Sequence, residues 1–259
     1  MKSLVSIIIP NYNYGRYLDD CIKSCLSQSH GSIEIIVVDD CSTDNSKDII
    51  LGYGNRIKYI LNGQNRGVSY CRNAGIDLCS GEYISFCDSD DMFFEDAVEL
   101  RIACFKKHPE AGMVHGYAKK INAERKNYDW SFDECVKNKH SLETYSRPIN
   151  CGTLMWKREV FEKYGCFYEG LKSKEDKEML YRLGIHPKST LKKRITAVKC
   201  KDFIMVYRRH PGSKHKKRVM NTAWAEETER IFLDRIKELK EVGITNSNTR
   251  FPSWTQKKN

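Results

Sequence analysis

The sequence predicts an α/β fold, a three-layer α/β/α sandwich with a mostly parallel central sheet. Three observations predict it. Strand-like and helix-like patterns alternate four times in the first 110 residues. The strand segments are continuous apolar runs, as in strands covered on both faces. Polar residues gather where these runs end: Asn11 and Tyr12, Asp39 and Asp40, Asn65 and Arg66, and Asp88 with Asp90. In parallel sheets that is the edge where ligands bind.

Leu4–Ile9 is the first apolar run. Tyr17, Leu18, Cys21, Ile22, Cys25 and Leu26 then recur at helical spacing. Ile33–Val38 is the second strand, and Ser42-Thr43-Asp44 is a helix start of the capping type. Ile57–Leu61 is a third strand and Val68–Leu78 a third helix. Gly81 punctuates before the fourth strand, Tyr83–Cys87, and Phe94–Phe105 reads as an amphipathic helix. Farther on the pattern loosens. Met113–Ile121 and Cys151–Trp156 read as strands, and Glu124–Ser146 as a loop or lid. Arg158–Tyr164 and Ser173–Leu183 read as helices, Ala197–Tyr207 as a strand and Ala223–Val242 as an amphipathic helix; Thr245–Asn259 is expected to be a frayed tail.

The 259 residues are 40% hydrophobic and 30% charged, the composition of a globular protein. No run of 18 apolar residues occurs and the chain enters a strand directly, so neither a transmembrane helix nor a signal peptide is expected. Eleven cysteines lack any C-x-x-C pair and lie among apolar neighbours. They are expected to be reduced core thiols rather than a disulfide or zinc framework, which points to the cytoplasm. The net charge of +10 is concentrated: Lys188–Arg218 carries 12 Lys/Arg against the single acid Asp202. Such a stretch suits an anionic partner or membrane surface, or is simply a solvated face.

Asp88, Asp90 and Asp91 follow the fourth strand directly. Clustered carboxylates at a strand end suit a divalent metal holding a phosphorylated ligand. They equally suit a cap for the following helix.

Five segments together resemble the family 2 glycosyltransferases, which have the GT-A fold with a Rossmann-like N-terminal half. They are Val5–Asn13 (VSIIIPNYN), Ile36–Asp44 (IVVDDCSTD), Asn65–Gly75 (NRGVSYCRNAG), Gly81–Asp91 (GEYISFCDSDD) and Gly165–Gly170 followed by Lys174–Asp176. The resemblance runs over roughly residues 3–212. It implies a GT-A domain over 1–218, with a nucleotide-binding half (1–110) and an acceptor-binding half (111–218), and a C-terminal helix and tail over 219–259.

By the same resemblance, Asp40 accepts the imide N–H of a uracil or thymine, with Pro10 and Tyr12 lining that pocket. The competing role for Asp40 is a turn carboxylate beside Ser42. Asp88-Ser89-Asp90 matches the DxD motif, with Asp90 a direct metal ligand and Asp88 on the ribose or metal; Mn2+ or Mg2+ suits the oxygen donors. Asp91 is then left as the helix cap. Arg66 and Arg72 could offset the diphosphate or be ordinary surface arginines. Glu175-Asp176 matches the acidic pair that supplies the base, with Asp176 as that base. Ser173–Asp176 also fits an S-x-x-D capping box. His210 corresponds to a histidine often found near the donor diphosphate, or is a surface histidine.

The implied activity is metal-dependent, inverting transfer of one sugar from a nucleotide-diphosphate sugar, a UDP-sugar first, to a glycan or lipid-linked acceptor. Processive members carry Q-x-x-R-W and membrane helices, which this sequence lacks. No second catalytic domain and no nucleic acid are expected. The expected location is the cytoplasm, with 188–218 available for peripheral contact with the inner face of a membrane. The alternative is a basic glycan- or nucleic-acid-binding module with a degenerate transferase core. A nucleotidyltransferase is disfavoured because Pro10–Gly15 (PNYNYG) is not a glycine-rich basic loop.

Overall fold

The computed structural model describes residues 2–122, 143–145, 151–171, 173–210, 222–243, 249, 250 and 252. Among the described residues nine strands form one sheet in the order β3-β2-β1-β4-β8-β6-β9-β5, with β7 paired to β6. The strands are β1 Val5–Asn11, β2 Ile33–Asp39, β3 Lys58–Leu61, β4 Tyr83–Phe86, β5 Met92–Phe93, β6 Ala111–Asn122, β7 Glu143–Tyr145, β8 Leu154–Lys157 and β9 Thr196–Arg209. The first four are mutually parallel, and β6 and β9 share their direction, while β5, β7 and β8 run against it. The sheet is therefore mostly parallel, as the apolar runs predict.

Seven helices flank it among the described residues: α1 Gly15–Leu26, α2 Ser46–Gly52, α3 Val68–Leu78, α4 Ala97–Lys107, α5 Arg158–Tyr164, α6 Glu175–Arg182 and α7 Thr222–Val242. Side chains alternate across the sheet with period two. Val5, Ile7 and Ile9 of β1 join Ile35 and Val37 of β2 in one core with α1, α2 and α4. Ile8, Ile36 and Val38 point the other way, into a core with α3, α5 and α6. All eight strand residues are at most 2% exposed, which explains why each run is apolar without alternation.

Details differ from the sequence expectation: Cys151–Thr153, read as the start of a strand, forms a 3-10 helix ahead of β8, and α2 starts at Ser46 rather than at Ser42–Asp44. Helix α4 starts at Ala97, because Met92 and Phe93 pair with Val206 and Met205 as a short edge strand. Asp91 does not cap this helix; it is buried, and its Oδ1 accepts the backbone N–H of Arg208 at 2.8 Å. No capping box forms at α6: its N-cap is Lys174, in the left-handed region at φ 67°, and Asp176 Oδ1 instead accepts the N–H of Lys177. Within the expected loop, Glu143–Tyr145 pairs with β6, while residues 124–142 and 146 lie outside the described residues.

Most of the expected tail, and residues 211–218 of the basic segment, also lie outside them. Arg250 nonetheless is fastened to the fold: it pairs with Asp77, and its carbonyl accepts the N–H of Cys166 at 2.6 Å. Helix α7 packs on α6 through Ile236, Leu239 and Tyr181. The pairs Lys174–Glu229 and Arg235–Glu178 reinforce that contact.

Candidate active site

The ends of β1, β2 and β4 adjoin because the three strands are in register, Asn11 beside Asp39 and Ile8 beside Phe86. Pro10 is buried in β1 beyond the last residue paired with β4, where its missing N–H breaks no ladder bond on that side. Asn11 Nδ2 donates to Asp39 Oδ1 at 2.7 Å, and Asp39 also receives the hydroxyl and backbone N–H of Ser42. Asp39 thus takes the turn-forming role and leaves Asp40 to face another loop.

Asp40 is 3% exposed, and its carboxylate organises the segment after β3. Oδ1 accepts Arg66 N–H at 2.8 Å and the Asn62 amide at 3.0 Å; Oδ2 accepts Gly67 N–H at 2.7 Å. Gly67 has φ 88°, a conformation that glycine adopts without strain. The Cys71 thiol also lies against this carboxylate, and its pKa is raised first by burial and then by that charge. Tyr12, one residue past the end of β1, is 46% exposed. Arg66 is exposed, with its guanidinium 3.6 Å from the Tyr70 ring centroid.

Arg72 is not a surface arginine. It is 2% exposed in α3, Nη2 donates to Asp88 Oδ1 at 2.8 Å, and Nη1 donates to Glu175 Oε1 at 2.5 Å. One planar guanidinium thereby joins the acidic motif after β4 to the first residue of α6. Asp88 keeps 41% of its side chain exposed. Ser89, between the two aspartates, is buried.

Asp90 Oδ2 lies 3.1 Å from His210 Nε2, so the histidine after β9 is brought to the acidic motif. The His210 ring is held between Tyr14 and Tyr17, with centroids 5.5 and 4.8 Å away. Arg208, 1% exposed, donates from Nε to the Asp90 carbonyl at 3.1 Å and has its Cζ 4.7 Å from the Tyr17 ring centroid. Sequence reasoning missed Tyr14 and Arg208. The only available signal was their position, Tyr14 just past the first motif and Arg208 two residues before His210.

The electrostatics record how much negative charge is gathered here. Burial, then Asp90 and Asp88, push the carboxyl of Asp91 well above the ordinary carboxylate range. The Tyr14 phenol is raised by burial and by the same three aspartates. Asp176 is raised to about 6, first by burial and next by the charge of Glu175, with Arg72 opposing. Asp88 and Asp90 each hold a carboxylate oxygen that receives no hydrogen bond among the described residues. An all-oxygen donor set beside a surplus of carboxylates fits a hard divalent cation.

Backbone geometry marks the same region. Among described residues other than glycine, positive φ occurs at Asn13, Cys41 and Lys174, just after β1, just after β2 and just before α6. Such conformations cost energy and concentrate at functional sites.

Residues 6–165 match the family model described as glycosyl transferase family 2. The uncharacterized glycosyltransferase RP339 of Rickettsia prowazekii (strain Madrid E) is 32% identical over 189 residues, 69% of this chain and 58% of that protein. Among solved structures, S. aureus TarS 1-349 in complex with UDP-GlcNAc aligns with a TM-score of 0.66 at 20% identity, over 91% of this chain and 66% of that one. The mannosyltransferase PcManGT from Pyrobaculum calidifontis, in complex with GDP-Man and Mn2+, aligns at 0.63 and 18% identity, over 91% and 64%. At these identities the structural likeness is one of fold. The chain spans about half the length of the curated relatives it matches, 48, 52 and 58% of three of them.

Proposed function

The chain belongs to glycosyl transferase family 2 and has the GT-A fold, and from that premise we propose that it transfers a single sugar, with inversion, from a UDP-sugar to a hydroxyl of a glycan or lipid-linked acceptor. The observation that best supports this reading is Arg72, which fixes the acidic motif and the Glu175–Asp176 pair on the two ends of one guanidinium. Donor activation and proton removal are then held at a set separation, as single displacement requires.

Each residue has a chemical task in this reading. Asp40 accepts the imide N–H of the base, and Tyr12 stacks on the ring. Arg66 adds positive charge near the diphosphate. Asp90 and Asp88 would hold Mn2+ or Mg2+, and Ser89 lies between them; the bound cation offsets the charge that builds on the leaving diphosphate. His210 orients Asp90, and Arg208 holds the Asp90 backbone from below. Glu175 is immobilised by Arg72, which leaves Asp176 to accept the proton of the acceptor hydroxyl. A carboxylate raised to about 6 is a stronger base than an ordinary aspartate. The TarS and PcManGT complexes, with UDP-GlcNAc and with GDP-Man and Mn2+, support a nucleotide-sugar donor and a divalent metal.

The decisive experiment screens hydrolysis of UDP-, GDP- and dTDP-sugars with Mn2+, together with UDP binding. UDP affinity should rise with Mn2+ and fall by about tenfold or more in Asp90→Ala. UDP binding that ignores both Mn2+ and the substitution would refute the metal assignment, and a guanosine preference would refute the uridine one.

No described helix is long and apolar enough to cross a membrane. The exposed lysines 188, 192, 193, 199 and 201 support peripheral contact with an anionic membrane bearing the acceptor. Salt-sensitive sedimentation with anionic but not neutral vesicles would support this contact; equal sedimentation with both would oppose it.

A further inference from the structure

We propose that Cys21, Cys25 and Cys87 form a binding site for a thiophilic divalent cation, Zn2+, buried directly beneath the acidic motif. Their three Sγ atoms lie within 4.8 Å of one another, with Cys21 and Cys87 at 3.6 Å, and all three residues are 0% exposed. Cys21 and Cys25 are one turn apart on α1, and Cys87 directly follows β4. No spacing in the sequence reveals the trio, because the third thiol comes from a different element. A tetrahedral zinc with bonds of about 2.3 Å to sulfur places its sulfurs roughly 3.8 Å apart, so little movement is needed. The carbonyl oxygen of Asp88, 3.5 Å from Cys21 Sγ, is placed for the fourth position.

A second, independent feature is the buried cation next to them. Arg101 is 0% exposed and, among the described residues, donates only to neutral oxygens, those of Ala97, Ser85 and Leu154. Its Nη2 has no hydrogen-bond partner, and no carboxylate pairs with it among the described residues. Its electrostatic neighbours are thiols, Cys200 first and then Cys87 and Cys25 of the trio. A buried guanidinium without a counter-charge is costly. Three thiolates, one divalent cation and one guanidinium sum to neutrality, so metal loading supplies what Arg101 lacks. On loading, three S–H bonds are replaced by three metal–sulfur bonds and three protons leave to solvent.

The two neighbouring sites sort cations by chemistry, since soft thiolates select zinc while the carboxylates above suit Mn2+ or Mg2+. Because Cys87 immediately precedes Asp88, the bound ion would clamp α1 to the root of the acidic motif. The competing state is three reduced thiols packed in the core.

The test uses metal-free full-length protein titrated with Cd2+, whose ultraviolet charge-transfer band arises from thiolates and not from carboxylates. One equivalent should saturate the band in the wild type, and equally in Asp90→Ala and Cys104→Ser. Cys25→Ser should lose it by about tenfold or more, in line with loss of a ligand from such a site. Absence of the band in the wild type, or an undiminished band in a folded Cys25→Ser, would overturn the proposal. If Cys25→Ser does not fold, X-ray absorption of zinc-loaded wild type decides: a sulfur shell at about 2.3 Å supports the site, and an oxygen–nitrogen shell alone overturns it. Retention in Asp90→Ala separates this outcome from failure of the transferase reading.

Discussion

Arg72 and Glu175, 103 residues apart in the chain, are joined by a hydrogen bond of 2.5 Å between Nη1 and Oε1. The other arm of the same guanidinium holds Asp88. Arg72→Lys keeps the charge but cannot present two parallel donors to two carboxylates. It should lower kcat/KM by about 100-fold, the scale expected when reacting groups shift by an ångström. Steady-state kinetics with circular dichroism as a folding control checks this, and near-wild-type turnover in Arg72→Lys would show that the bridge is dispensable.

A second buried ion cluster sits behind the first. Glu178 is fully buried and receives Arg182 and Arg235, each from Nε at 3.2 Å. Arg235 belongs to α7, so this one carboxylate fastens the C-terminal helix to α6. Glu178→Gln leaves two buried guanidiniums without their shared anion. Chemical denaturation should report a loss of about 3 kcal/mol. A loss below about 1 kcal/mol would mean that the carbonyls around Arg182 and the Glu238 carboxylate on Arg235 already satisfy the cluster.

Local pattern made much of this fold legible. Helices α3 and α5 fall on the expected residues, because apolar spacing and helix-ending signals lie within a single element. Local pattern misleads where a distant partner decides. Asp91 looks like a helix cap until β9 brings the Arg208 amide to it, and Ser173–Asp176 looks like a capping box until Lys174 turns left-handed and pairs with Glu229. Arg72 looks like a helix-surface cation because neither of its acids is near it in sequence. The placement of the acidic motif, Asp40 and Glu175–Asp176 at strand ends and a helix start was readable, because it depends on local order alone. The second partner of each, and the gathering of Cys21, Cys25 and Cys87, was not.

Gly75 illustrates a packing constraint inside one of the motifs. A Cβ at this position of α3 would collide with the side chain of Ile8 on β1. Overpacking of this kind costs about 1–3 kcal/mol, while the gain in helix propensity returns about 1. Gly75→Ala should therefore lower stability by up to about 2 kcal/mol. Combined with Ile8→Ala, which removes the Cγ2 atom that the new Cβ meets, the two losses should sum to less than their separate values, a coupling measurable in a double-mutant cycle. Strict additivity of the two losses would place the cost elsewhere.

Asp176 couples activity and stability to pH in opposite senses. Its pKa is raised to about 6 by burial and by Glu175. A base must be deprotonated, so kcat/KM should rise tenfold per pH unit below about 6 and level off above it. Asp176→Asn should abolish this limb and lower kcat by about 100-fold or more, with UDP affinity retained. Undiminished transfer would remove Asp176 from the role of base. For stability the folded state binds the proton more tightly than the unfolded chain, whose pKa is the ordinary 3.8. Stability contributed by the protonated form is thus full below about 4 and is lost as pH rises towards 6. Asp176→Asn escapes that loss. It should be more stable than the wild type at pH 8, by about 1–2 kcal/mol once solvent screening of this partly exposed group is allowed for, with the difference vanishing near pH 4. Thermal unfolding of both proteins at the two pH values checks the sign. A variant less stable than the wild type at pH 8 would mean that ionised Asp176 is held by favourable contacts rather than against burial.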